Sequence, residues 1–396
     1  MIVNVGNAAT AATAGSVRER LLLRNAVCEK FLNAEADRLA LACQQMARRF
    51  QDGGRLLAIG RGSYLSDAQH VSVEFVHPVI VGKRALPALD ISSLCGGPGP
   101  NPIVEPSDMV MGFGGPQGDP EVAGFMRAAQ ARGAMTLALP GTEGDYFCGA
   151  AAADPLVHQE VIEILYHTLW ETVHVFLERS ELGFDAGESA FLYPFLGQQQ
   201  PQESAGLVSE VAASIRLKVS DDSALRTRVA AEEADAIVQA VLGIRERLAQ
   251  GCKLLLFGNG GSATDANDFA FDCVRPPEGL QPVPAISLAQ DPANITAIAN
   301  DVGTEMIFLR QLIAYSRPRD VAVGISTSGG SANVIAALGE ARKRGLLTVA
   351  LLGCDGGEIV RRKLADFAIV VRSDYIPRIQ EVQASVYHIV RELLED

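Results

Sequence analysis

The chain writes one pattern twice. Arg55-Leu56-Leu57-Ala58-Ile59-Gly60 reappears as Lys253-Leu254-Leu255-Leu256-Phe257-Gly258, an offset of 198, and Asp67-Ala68 falls on Asp265-Ala266 without a gap. Arg132 to Leu139 returns as Arg344 to Leu351 at an offset of 212, and Gln159-Glu160-Val161 with Tyr166-His167 returns as Gln380-Glu381-Val382 with Tyr387-His388 at 221. Offsets that change only between segments are loop-length differences in a duplicated domain. Two copies in 396 residues are too few for a solenoid, and each is long enough to bury its own core.

Each copy opens with amphipathic helical sequence, near 17 to 50 and 207 to 250, followed by a short apolar strand ending in glycine. In the second copy strands are expected near 253 to 257, 283 to 288, 320 to 325, 347 to 352 and 367 to 371, alternating with helices, and a last amphipathic helix closes each copy near 157 to 178 and 378 to 394. Alternation of this kind predicts an α/β fold, here two tandem domains, each a doubly wound parallel sheet flanked by helices. The expected divisions are residues 1 to 182, a linker at 183 to 206 carrying Gly187, Pro194 and Gln198-Gln199-Gln200-Pro201-Gln202, and residues 207 to 396. Phe184, Phe191, Leu192, Tyr193 and Phe195 are too apolar for a freely solvated tether, so part of the linker is expected to pack.

A formal net charge of -13 argues against nucleic acid or an anionic membrane surface as a partner, because both need clustered Lys and Arg. The seven cysteines form no CxxC pair and read as reduced, buried thiols of a cytoplasmic protein. Met1 to Gly15 has no basic start and apolar core, so it reads as a tail and not a secretory signal, and no run reaches the length of a membrane span.

In an open parallel sheet, ligands bind beyond the carboxyl ends of the strands, where helix N-termini present free N–H groups. The second copy offers two loops there, Gly258-Asn259-Gly260-Gly261-Ser262 and Ser326-Thr327-Ser328-Gly329-Gly330-Ser331. Glycine lets backbone approach a ligand, and four hydroxyls within six residues are donors for phosphate oxygens. Neither loop has the Gly-Lys-Ser/Thr of a P-loop or the GxGxxG order of a dinucleotide site.

Together with Asn300-Asp301, Gly324-Ile325, Asp355-Gly356-Gly357 and Arg378-Ile379-Gln380-Glu381, these loops resemble the sugar isomerase (SIS) domain of phosphoheptose isomerases, strongly over 207 to 396 and more faintly over 17 to 180. That family interconverts sedoheptulose 7-phosphate and a heptose 7-phosphate. The resemblance implies a sugar phosphate held by Ser326, Thr327, Ser328 and Ser331, with Asn259, Gly260, Gly261, Ser262 and Gln380 beside the substrate and Asp291 near its hydroxyls. It also implies a metal set of the form His-x3-Glu on the first helix and Gln-x7-His on the last. Pro377 departs from the pattern, which usually has an aspartate just before Arg-Ile-Gln.

The two copies have lost different halves of this pattern. The first has His70, Glu74, Gln159 and His167, all four members of the metal set, and two imidazoles with a carboxylate and an amide oxygen suit zinc or a similar divalent ion. The second reads Asp268, Asp272, Gln380 and His388, which weakens a metal site. On the phosphate side, the first copy has Gly114, Gly115, Pro116 and Asp119 against Ser326, Thr327, Ser328 and Ser331, and Tyr64 against Ser262. Proline removes a donor and aspartate repels phosphate, so the first copy is expected not to bind a phosphosugar there.

The expected function is therefore phosphosugar aldose–ketose isomerisation at a composite site, with metal and acid–base groups from the first copy and the phosphate grip from the second. Glu74 is the expected base and His167 the acid, with Asp272 and His388 as the fallback pair. His77, His158 and His174 read as core or surface residues. Family assemblies of four SIS domains imply a homodimer for a tandem chain. The alternative is a non-catalytic phosphosugar sensor, since SIS proteins include one that binds the bacterial replication initiator.

Overall fold

The computed structural model describes residues 12–80, 82–94, 102–182 and 204–395. Most of the linker expected at 183 to 206, with Cys95 and residues 1–11 of the expected tail, lies outside the described residues. The chain resolves into two compact units, residues 26–223 and residues 1–25 with 224–396.

The unit of residues 26–223 holds most of α1 (Ala14–Gln51), then β1 (Leu56–Ile59), α2 (Leu65–Val76), β2 (Ala88–Asp90), β3 (Met109–Phe113), α3 (Pro120–Ala131), β4 (Met135–Leu139), β5 (Tyr146–Phe147) and α4 (Pro155–Leu182). The first part of α5 (Ser204–Glu232) belongs to it as well. Its sheet is parallel in the order β2-β1-β3-β4-β5. β1, β3 and β4 are buried along their whole length, as strands covered on both faces must be.

The other unit carries the rest of α5, α6 (Ala234–Ala249), β6 (Leu254–Phe257), α7 (Gly261–Val274), β7 (Ala285–Ser287), α8 (Pro292–Val302), α9 (Ile307–Tyr315), β8 (Val321–Ser326) and α10 (Ala332–Lys343). β9 (Leu347–Gly353), α11 (Gly357–Arg361), β10 (Phe367–Val371) and α12 (Ile376–Leu393) complete it. Its sheet, β10-β9-β8-β6-β7, is again parallel and repeats the first order position for position. The stretch Ala14–Asn25 of α1 also belongs here: Val17 and Leu21 join its core, Arg24 pairs with Glu392 at 2.7 Å, and Arg226 donates to Asn25 Oδ1 at 2.9 Å.

Identical polar latches pin both sheets. Asp108, just before β3, accepts from the Arg55 and Glu105 backbone N–H groups (3.1 and 2.8 Å), and Asp320, just before β8, accepts from those of Lys253 and Arg317 (3.0 and 2.7 Å). Side chains of Arg55 and Lys253 neutralise the same carboxylates at 2.7 and 2.6 Å. These bonds satisfy strand-entry donors that burial would otherwise leave unpaired. The helical sequence near 207 to 250 forms two helices that meet at Glu233, whose carboxylate accepts from Val370 N at 3.3 Å.

Candidate phosphate and metal sites

Both sheets reverse strand order between their first and third strands, so the loops after β6 and β8 flank a topological switch point. Gly258 ends β6 because a Cβ there would stand 2.4 Å from Ser262 O; Gly60, its counterpart, would clash with Tyr64 O at 1.9 Å. The α7 N-terminus follows at once, with Gly260 at φ 55° as its cap and Ser262 buried in its first turn. Asn259 and Asn333 exchange two amide hydrogen bonds, at 2.9 and 2.8 Å, and tie this loop to the start of α10.

The hydroxyl loop is folded on itself at the head of α10. Gly329 N donates to Ser326 Oγ at 3.1 Å, Gly330 N to Ser328 Oγ at 3.2 Å, and the Ser326 and Ser331 hydroxyls lie 3.2 Å apart. Gly329 adopts φ 60°, and a Cβ would meet Gly356 O at 2.2 Å, so the loop after β9 closes directly against it. Gly353 is held in the same way between Thr327 O and Ile379, which places the start of α12, and with it Gln380, beside the hydroxyl loop. Asn259, Gly260, Ser326, Thr327, Ser328, Ser331 and Gln380 therefore gather beyond the carboxyl ends of the central strands of one sheet. Asp291 is engaged in capping α8: Oδ1 accepts from Ala293 N and Asn294 N, and Oδ2 from the Asn294 amide at 2.6 Å. Pro377 stands in the first turn of α12, where a missing N–H costs nothing.

In the first copy the matching loop is filled by the protein's own groups. Asp119 caps α3 through Glu121 N and Val122 N, Arg61 pairs with Asp119 and Glu121, and the Tyr64 hydroxyl lies 3.0 Å from where a Gly115 Cβ would be. A carboxylate thus sits where a helix N-terminus would otherwise receive an anion. Beside it opens a cavity of about 320 Å³ lined by Phe113, Pro116 and Met126 and by the charged Asp119, Arg127 and Glu143, with Arg127 already paired to Glu143 at 3.0 Å.

The metal-type residues of the first copy meet between α2 and α4. His70 Nε2 and His167 Nε2 face each other at 3.3 Å, and Glu74 Oε1 is 3.8 Å from His70 Nε2. The buried Glu74 Oε2 has no hydrogen-bond partner. Gln159 turns its amide N–H to Asp67 Oδ2 at 2.9 Å. A fifth buried residue absent from the sequence expectation, Glu163, joins the histidines: one ligand atom each of His70, Glu163 and His167 lie within 4.8 Å of one another. Two ligands bonded to one tetrahedral zinc at about 2.0–2.1 Å stand roughly 3.3–3.4 Å apart, so the imidazole pair has the spacing such an ion requires.

In the second copy Asp268, Asp272 and His388 form a comparable buried group. His388 Nε2 lies 3.3 Å from Asp268 Oδ2 and 3.4 Å from Asp272 Oδ2, and the Tyr387 hydroxyl donates to Asp268 at 2.9 Å. The shorter carboxylates do not keep this group apart. Burial, and then the neighbouring charge of Asp268, raises the Asp272 carboxyl well above the usual range.

Two further histidines are structural. His158 accepts from Ala151 N and donates to Gly114 O, and burial pushes its pKa down to about 4. His174 lies between the carbonyls of Trp170 and Arg84. The signal that could have found Glu163 is its position four residues before His167 and four after Gln159, on one helical face, where the second copy has Ala384 (163 plus the offset of 221).

The doubly wound parallel sheet with a hydroxyl loop at its switch point is that of a sugar isomerase domain, and residues 220–353 match the SIS domain model. The phosphoheptose isomerase of Solidesulfovibrio magneticus is 40% identical over 183 residues, 86% of its length and 45% of this chain. That of a Geobacter species is 42% identical over 190 residues, 96% of its length and 48% of this chain. The chain belongs to the phosphoheptose isomerase family. The C-terminal domain of glucosamine-fructose-6-phosphate aminotransferase from Francisella tularensis shares the fold over 95% of both chains, with a TM-score of 0.55 at 10% identity. Among the described residues no helix is long and apolar enough to cross a membrane.

Proposed function

We propose that the protein is an aldose–ketose isomerase of a sugar phosphate, with the phosphate gripped by Ser326, Thr327, Ser328 and Ser331 and the sugar met by Asn259, Ser262 and Gln380. The observation that carries this reading is the hydroxyl loop at the head of α10, tied through Asn259 and Asn333 to the loop after β6. Its hydroxyls and the N–H groups at the head of α10 are donors suited to phosphate oxygens.

Isomerisation moves a proton between C1 and C2 and must stabilise the enediolate oxygens formed on the way. Glu74, buried and with one carboxylate oxygen lacking a hydrogen bond, is the base that takes the proton from one carbon and returns it to the other. His70 and His167 would hold a divalent ion, in the first instance zinc, which when bound supplies Lewis-acid polarisation of the carbonyl. His167 serves as ligand with the ion present and as proton donor without it. The first copy thus contributes acid–base groups and the second the phosphate grip, in a protein that assembles as a homodimer with four SIS domains. Asp272 and His388 are the fallback acid–base pair.

The test is sedoheptulose 7-phosphate in deuterated water, with NMR detection of exchange at C2. Exchange and appearance of the aldose are expected. Tight binding of sugar phosphate without exchange would establish the sensor reading instead, which the loss of the His-x3-Glu pattern from the second copy favours.

A further inference from the structure

The resemblance assigns the carboxamide of Gln159, two turns before His167, to the metal set, and says nothing of the residue between them. Gln159, Glu163 and His167 succeed one another at intervals of four on α4 and share a face. Glu163 is buried, as are His70 and His167, and its carboxylate falls within the same 4.8 Å group as the two imidazoles. Glu74 brings a second buried carboxylate beside His70. Two carboxylates beside two imidazoles are donor types that a divalent transition-metal ion takes.

The second copy argues the same point by exchange. Where the first copy has His70 and Glu163, the second has Asp268 and Ala384, so that the acid moves from the last helix to the first and each group keeps two carboxylates (Glu74 and Glu163; Asp272 and Asp268). Such a swap preserves charge around a common point while changing which helix supplies it.

We infer that Glu163 is a metal ligand, completing with His70 and His167 a three-side-chain set for a divalent transition-metal ion in the first copy. The inference rests on the metal part of the proposed function and extends it to a residue outside the family pattern. Two imidazoles and a carboxylate are the donor set of catalytic zinc sites that leave a position open for substrate oxygen.

The experiment titrates Co(II) into the metal-free full chain, reading visible d–d absorption and bound cobalt by mass spectrometry. Glu163→Gln, which keeps the shape of the side chain, and His167→Asn are each expected to bind one cobalt ion fewer per chain, or to bind it at least about tenfold more weakly with an altered spectrum. This difference is independent of whatever the Asp268 group holds. Circular dichroism of each variant reports its fold, and a Glu163→Asp variant that regains part of the cobalt spectrum would mark a ligand, since a residue with a packing role alone would not restore it. Unchanged affinity and spectrum in folded Glu163→Gln overturns the inference, as does a wild-type protein that binds no cobalt. Absence of C2 exchange with Glu163-dependent cobalt binding intact would sink the isomerase reading and leave the ligand assignment standing.

Discussion

At Ser328 the side chain is exposed and, among the described residues, its one hydrogen bond is accepted from Gly330 N at 3.2 Å, so it can be removed without disturbing the core. Ser328→Ala is expected to raise KM for the sugar phosphate about 10- to 100-fold, the worth of one hydrogen bond to a charged group, with kcat little changed. Glu74→Gln should do the opposite, lowering kcat by roughly 10²–10⁴ at similar KM, the range for a lost general base. Steady-state kinetics on both variants separates grip from chemistry, and equal effects on both constants in both would contradict the assigned roles. Most of these candidate residues were legible in the sequence, the hydroxyls because they cluster after a strand and the histidines because they fall on the family's metal pattern. Glu163 was not, since a lone glutamate in a helix ordinarily marks a solvated face. Its spacing of four from Gln159 and from His167 was the available signal, and the packing of α4 makes that face a buried one.

At the scale of elements, the parallel sheet followed from alternation of apolar runs with helices, and the strands of the second copy were found within two residues of their expected limits. The break between α5 and α6 was hidden, for no glycine or proline marks it. It is held by Glu233 reaching β10, a tertiary contact that local sequence does not encode. The Asp108 latch is a second such contact. Burial works to raise the Asp108 carboxyl, but hydrogen bonds from Arg55 and from backbone N–H groups outweigh it and hold it below the usual range. A carboxyl depressed in the folded state contributes stability above its unfolded value near 4, and that contribution is lost as pH falls through the folded value. Asp108→Asn is therefore expected to lower the melting temperature at pH 7, with the gap to wild type narrowing as the pH is taken below about 4. Thermal melts from pH 7 to 3 check this, and a gap that holds constant across the range refutes it.

For the whole molecule, the division into units runs through α1 and α5 and does not follow chain order. Ala14–Asn25 packs with the second copy, where Arg24, fully buried, meets Glu392 at 2.7 Å. Arg24→Ala would leave Glu392 short of a buried partner, and a loss of about 3 kcal/mol is expected from breaking such a pair. Because Glu392 also bonds Arg20, the loss falls at the lower end of that range. Urea denaturation should show it in the transition of the unit of residues 1–25 with 224–396, and a transition unshifted in midpoint would exclude the pair as a stabilising contact.

That same pairing has a consequence during synthesis. Arg24 leaves the ribosome 368 residues ahead of Glu392. At about 5–20 residues per second, the wait is roughly 20–75 s. Through that interval Val17 and Leu21 have no core to enter, and the nascent chain carries an apolar helix end that a chaperone, or another nascent chain, is free to take.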